Sequence, residues 1–154
     1  MMVNENQPLV LLTGATGYIG GRLLKRLEQR DVQLRCLARQ PRRLAQRVAK
    51  NTEIVQGDVL DRDSLDAALV GVETAFYLVH SMNSEGDFES EDCQAATNFA
   101  LAAREAGVKR IIYVGGLGDS RGALSPHLRS RQDVGKALQQ AGCQLALHVT
   151  THAD

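Results

Sequence analysis

Three glycines, Gly14, Gly17 and Gly20, recur at every third residue in the stretch Thr13-Gly14-Ala15-Thr16-Gly17-Tyr18-Ile19-Gly20-Gly21. They follow an apolar run at 9–13 and open a segment of helical period. In that setting each has a physical task. Gly14 allows a tight turn out of the strand, Gly17 lets a pyrophosphate approach the backbone, and Gly20 lets the helix pack close to the sheet. The free N–H groups and the dipole at the start of the helix favour negative charge there. Glycines punctuate turns everywhere, so the triplet takes its meaning from context: a strand before it, a helix after it and a strand–helix alternation beyond. Residues Gly14, Ala15, Thr16, Gly17, Tyr18 and Ile19 are therefore expected to hold the phosphates of a dinucleotide.

Two further positions bear on that ligand. The carboxyl end of the second strand, where the adenosine ribose would lie, holds Arg39, followed by Arg42 and Arg43. An Asp or Glu there suits the free ribose hydroxyls of NAD, whereas Arg suits a 2′-phosphate. The nearest carboxylate, Asp31, precedes the strand and falls about 25 Å away at its other end, at about 3.3 Å per residue. NADP(H) is thus expected over NAD(H), with Arg39 and Arg42 among the contacts; Arg42 and Arg43 read equally well as solvated residues of a short helix. Farther on, Gly57-Asp58-Val59 ends the third strand. There Asp58 can accept from the adenine amino group and Val59 can cover the ring, or Asp58 can simply turn the chain.

These residues need a frame, and the hydrophobic pattern supplies one. Strands are expected at 9–13, 33–38, 53–56, 74–79 and 110–114, with a weaker sixth at 144–149, alternating with segments of helical period. In the first helix Ile19, Leu23 and Leu27 form the apolar stripe. A short helix runs over 41–50 from Pro41, and another over 65–70 behind Asp61 as N-cap. A long helix follows Asp87 and ends at Gly107, and the last is opened by Ser125-Pro126 and closed by Gly142. This is an α/β class chain with a doubly wound parallel sheet of order 3-2-1-4-5, extended by a sixth strand if one forms. One domain, 1–154, accounts for the whole length.

Composition narrows the function. The chain has 154 residues, with 18 Lys and Arg balancing 18 Asp and Glu. That neutrality leaves no basic footprint for nucleic acid or an anionic membrane. Cys36, Cys93 and Cys143 form no CxxC pair, so neither a metal site nor a disulfide framework is expected, and a reducing cytoplasmic setting is. His148 and His152 have metal-like spacing only on a helix, while Val149, Thr150 and Thr151 favour a strand.

Taken together, the sequence resembles the short-chain dehydrogenase/reductase superfamily, in its atypical and extended branch with NmrA-like and nucleoside-diphosphate-sugar-epimerase-like proteins. The resemblance rests on the glycine stretch, Arg35-Cys36-Leu37-Ala38-Arg39, Gly57-Asp58-Val59-Leu60-Asp61, Tyr77-Leu78-Val79-His80-Ser81-Met82 and Ile111-Ile112-Tyr113-Val114-Gly115-Gly116-Leu117. It implies an NAD(P)-binding Rossmann sheet with the nicotinamide near the ends of the fourth and fifth strands, bordered by Val79, His80 and Ser81. The family's catalytic set is a Ser after the fifth strand and a Tyr-x-x-x-Lys on the next helix. Here the strand runs into Gly115-Gly116-Leu117-Gly118, and His127 and Arg131 stand at the Tyr and Lys positions. Imidazole can serve as a proton donor near neutrality, while a guanidinium is a fixed cation and a poor proton relay.

The resemblance also implies a C-terminal substrate-binding portion for which the remaining residues do not suffice. A fragment, an altered reading frame and a natural minimal form all fit the sequence. The expected function is an NADP(H)-binding domain of an oxidoreductase or epimerase-like enzyme acting on an unknown small molecule. The alternatives are a non-catalytic, NmrA-like redox sensor and a truncated inactive product.

Overall fold

The computed structural model describes residues 5–79, 88–116 and 126–150; for 88, 115–116, 126–127 and 147–150 it describes the backbone. Six parallel strands form one sheet in the order β3-β2-β1-β4-β5-β6. They are β1 (Leu9–Thr13), β2 (Gln33–Ala38), β3 (Glu53–Gln56), β4 (Val72–Tyr77), β5 (Arg110–Gly116) and β6 (Gln144–Thr150). Between them run α1 (Tyr18–Leu27), α2 (Pro41–Ala45), α3 (Arg62–Leu69), α4 (Phe88–Ala106) and α5 (Pro126–Leu138).

Strand order dictates which face each helix covers, because parallel crossovers are right-handed. From β1 the chain first steps outward to β2 and β3, and α1 and α2 bury Leu24 and Leu44 against Val10, Leu12, Leu34, Cys36 and Ala38. It then returns past β1 to β4, β5 and β6, and α3, α4 and α5 pack on the opposite face over Leu11, Ala75, Tyr77, Ile111 and Tyr113. Alternation along β1 shows the logic: Leu11 enters one core, Val10 and Leu12 the other. Alanines 95, 96, 100, 102 and 103 on α4 bring that helix close, and the Tyr77 ring stacks 4.9 Å from Phe99.

Several elements differ from the expected bounds for identifiable reasons. Strand β4 begins at Val72, not 74, because Val72 pairs with Leu9 across a local irregularity in the β1 register. It ends at Tyr77, not 79, because the next amide, Leu78 N–H, donates to the Thr13 hydroxyl at 3.1 Å instead of to a strand carbonyl. Helix α2 stops at Ala45, not 50. The Glu28 carboxylate draws in the chain that follows, accepting from the Ala49 N–H at 2.7 Å and the Thr52 hydroxyl at 3.0 Å. Helix α3 starts at Arg62, with Asp61 at the N-cap position but without a side-chain cap. The Ser64 hydroxyl donates instead to the Asp61 carbonyl at 2.8 Å.

Strand β6 forms along the full length of β5, pairing Arg110 with Gln144 through Gly116 with Thr150. Of the expected apolar stripe of α1, Leu23 and Leu27 pack against the smaller core and Ile19 does not. Gly20 and Leu24 are the helix's buried residues, while Ile19 is 44% exposed. Left-handed glycines at 107 and 142 follow α4 and the last helical turn, where a side chain would be strained. The expected caps Asp87 and Ser125 lie outside the described residues. Among the described residues, no helix is long and apolar enough to cross a membrane.

Candidate dinucleotide-binding site

The glycine stretch joins the carboxyl end of β1 to α1, and its geometry leaves little room for other residues. Gly14 has φ +74°, and a Cβ there would lie 2.8 Å from the Leu78 carbonyl oxygen. At Gly20 a Cβ would fall 1.9 Å from the Gly14 carbonyl oxygen, so at this residue the close approach of α1 is to the turn and not to the sheet. Gly17 is exposed, stands at the N-cap of α1, and receives no side-chain cap. The helix has no acidic residue in its first turn, so its terminal amides and positive dipole end are left to an anion. Ala15 is buried, while Thr16, Tyr18 and Ile19 are exposed beside the loop. Arg22 donates to the Tyr18 hydroxyl at 2.8 Å, with its guanidinium 5.2 Å from the ring centroid.

Thr13 ties this loop to β4. Its buried hydroxyl donates to the Phe76 carbonyl at 2.8 Å and accepts from the Leu78 N–H at 3.1 Å. A β-branched residue closing a strand carried no separate signal for this clamp, which depends on β4 lying next to β1.

Arg39 follows the last residue of β2 and is exposed at the same edge as the glycine stretch. With Gln40, Pro41, Arg42, Arg43 and Gln56 it lines an open concavity of about 500 Å³. Asp31 is at the opposite edge, where it accepts a hydrogen bond from Gln7, ahead of β1. The one acidic residue near the second strand's start is thus removed from the ribose position. Arg42 and Arg43 also occupy the last turn of α2, where cations favour the helix dipole.

Beyond β3, Asp58 is half-buried and braced from several sides. Its Oδ1 accepts from Leu60 N–H at 2.9 Å, and its own N–H donates to Ser64 Oγ at 2.9 Å. The turn-forming role weighed for Asp58 is therefore present, and it uses one carboxylate oxygen. Val59 is buried, and its carbonyl accepts from the Asn98 amide at 3.0 Å. Asn98 lies one helical turn from both Ala95 and Ala102, buried residues of α4, which is the sequence signal that a polar group there faces inward.

At the other end of the edge, Val79 is partly buried against the larger core, whereas His80 and Ser81 lie outside the described residues. His127 is the second residue of α5 and Arg131 lies one turn on, so the helix brings both positions to one side of its first two turns. The Arg131 carbonyl accepts from the Tyr113 hydroxyl at 3.0 Å, and Ser130 Oγ donates to the buried Asp92 carboxylate at 3.2 Å. Strand β5 and helix α4 thus each hold this turn. Burial pushes the Tyr113 hydroxyl up to about 12, and burial likewise raises Tyr77. Both therefore stay protonated near neutrality.

The NAD(P)H-binding family profile matches residues 14–147. A reductase of Streptomyces griseus, (4-alkanoyl-5-oxo-2,5-dihydrofuran-3-yl)methyl phosphate reductase, is 39% identical over 104 residues, covering 68% of this chain and 33% of that protein. The NADPH-dependent quinone oxidoreductase of Escherichia coli, solved with NADPH, is 27% identical with a TM-score of 0.75, over 90% of this chain and 47% of that one. Triphenylmethane reductase of Citrobacter sp., solved with NADP(H), shares the fold at a TM-score of 0.77 and 22% identity, over 90% of this chain and 48% of that one. The chain spans 33% to 38% of the length of the first curated relatives it matches. The cradle made by Gly14, Gly17 and Gly20 fits a nicotinamide dinucleotide. The match over most of its length shows that the chain belongs to the NAD(P)H-binding family.

Proposed function

We propose that this chain is the NADP(H)-binding part of a reductase, with Arg39 as the residue that recognises the 2′-phosphate. The observation that carries the reading is the exposed Arg39 at the carboxyl end of β2, with the nearby carboxylate, Asp31, held at the other edge. A guanidinium offers paired donors to phosphate oxygens, and Arg42 adds a second cation at the same concavity. Gly14 to Ile19 receive the pyrophosphate, Asp58 and Val59 the adenine, and Val79, His80 and Ser81 the nicotinamide end. Relatives named as reductases support a reductive use of the cofactor, which supplies hydride when bound.

At the reacting end His127 is the candidate proton donor, because imidazole titrates near neutrality. Arg131 is a fixed cation for the nicotinamide ribose, since a guanidinium is a poor proton relay. A second reading, a cofactor-sensing protein without catalysis, is favoured by one specific feature: His127 and Arg131 stand where the superfamily has Tyr and Lys.

Titration with NADPH and NADH, followed by nicotinamide fluorescence, tests the first assignment. The parent is expected to bind NADPH at least about tenfold tighter, a difference of about 1.4 kcal/mol, and Arg39→Asp to abolish that preference. Equal affinities in the parent would overturn the 2′-phosphate assignment, and binding of neither would overturn the cofactor site in this chain. Single-turnover oxidation of NADPH against a panel of carbonyl compounds separates enzyme from sensor. Turnover that is lost in His127→Phe supports the enzyme; turnover unchanged in that variant removes His127 from the mechanism.

A further inference from the structure

The Asn98 amide stands between two partners: its Oδ1 accepts from Gln94 Nε2 at 2.9 Å and its Nδ2 donates to the Val59 carbonyl at 3.0 Å. The second contact joins α4 to the stretch after β3, across 39 residues of chain. The neighbouring carbonyl in that stretch is held locally. The Asp58 carbonyl accepts from the Asp61 N–H at 2.9 Å, three residues on. Val59 instead takes its partner from the helical layer.

That carbonyl belongs to the same peptide unit as the Leu60 N–H, and the Leu60 N–H is what holds Asp58 Oδ1, at 2.9 Å. A peptide unit is a rigid plane whose C=O and N–H point in opposite directions. Fixing the carbonyl from one side therefore fixes the N–H on the other. The buried Val59 side chain anchors the same unit in the core. We propose that Asn98 is a positioning residue for the base-binding end of the site: through the Val59–Leu60 peptide plane it aims the Asp58 carboxylate, leaving Oδ2 to accept from the exocyclic amino group of a 6-aminopurine. This rests on the reading of Asp58 as an adenine contact.

If Asn98 loses its amide, the Val59 carbonyl loses its donor and the plane is freed to turn, taking the Leu60 N–H off the carboxylate. The cost then falls on ligands that use the carboxylate. Gln94 acts only by orienting the Asn98 amide and is exposed, so its removal has a lesser effect.

The test compares NADPH with its hypoxanthine analogue, which lacks the 6-amino group, by nicotinamide fluorescence on the full chain. Asn98→Leu is expected to weaken NADPH about tenfold and the analogue less than about twofold, with melting temperature recorded in parallel. In an Asp58→Ala background the same substitution should change NADPH affinity less than about twofold, since coupled residues are non-additive. Gln94→Ala should cost NADPH no more than about threefold, a smaller change than the tenfold one. If Asn98→Leu does not fold, Asn98→Ser, too short to reach Val59, is expected to give the same selective loss. Equal losses for both ligands, or unchanged NADPH affinity, would overturn the role of Asn98. A parent that binds NADPH no better than the analogue would instead overturn the Asp58 contact, and failure to bind NADPH would overturn the cofactor reading with it.

Discussion

On the adenosine side of the sheet edge, the chain's own backbone does most of the shaping: Gly14 and Gly20 interlock at distances that exclude a Cβ, and Asp58 is hydrogen bonded on several sides. On the α5 side, by contrast, the turn carrying His127 and Arg131 is held by two side chains, Tyr113 and Asp92, through Arg131 and Ser130. At the two glycines the arrangement depends on atoms that are absent and tolerates almost no substitution. The α5 turn depends on atoms that are present, and removing one costs a single hydrogen bond.

The largest effect should come from Gly20→Ala. Its methyl would fall 1.9 Å from the Gly14 carbonyl oxygen, so the loop must move, and NADPH affinity is expected to fall at least about 100-fold, or about 2.7 kcal/mol. Retained affinity in a fluorescence titration would show the loop to be softer than its geometry. Thr13→Val, nearly the same in volume, strips the Phe76 carbonyl and Leu78 N–H of their shared partner at the junction of the two regions. A loss of about 2–3 kcal/mol is expected in urea unfolding, the cost of leaving buried polar groups unpaired.

Tyr113→Phe probes the α5 side alone. It removes the bond to the Arg131 carbonyl and should cost about 1 kcal/mol of stability, with NADPH affinity changed less than about threefold. A larger loss of affinity than of stability would link α5 to the adenosine side. The last effect is confined to alkaline pH. Burial raises the Cys36 thiol from 9.0 to about 12, so the folded state keeps a proton that the unfolded chain releases. The stability this contributes is complete below pH 9.0 and is lost as pH rises toward about 12. Melting temperature measured across that window should fall less steeply in Cys36→Ala than in the parent.

The difference between the two regions also explains how far each could be read in the sequence. β1, β2 and β3 have the expected bounds, because short β-branched and leucine-rich runs between turn residues have one reading. The glycine spacing identified the loop for a related reason: the constraint acts between residues three to six apart. Limits set by distant partners escaped. The ends of β4 and α2 depend on Thr13 and Glu28, which lie far away in sequence. The contact of Asn98 is equally non-local, since the Val59 carbonyl lies 39 residues away in the stretch after β3. In α1, Leu23 and Leu27 pack as their spacing predicts, whereas Ile19 lines an open groove with Phe76, Ile112 and Val114.

Local spacing alone therefore determined the strand–helix alternation, the glycine turn between β1 and α1 and the arginine at the end of β2. Each is written in residues that constrain one another over a few positions, through periodicity, turn geometry or excluded volume. Only the tertiary structure decided where β4 ends, which helix meets the Val59 carbonyl, and what braces the turn of α5. Those outcomes are set by hydrogen bonds between elements 18 to 65 residues apart, whose directions exist only once the sheet has ordered its strands.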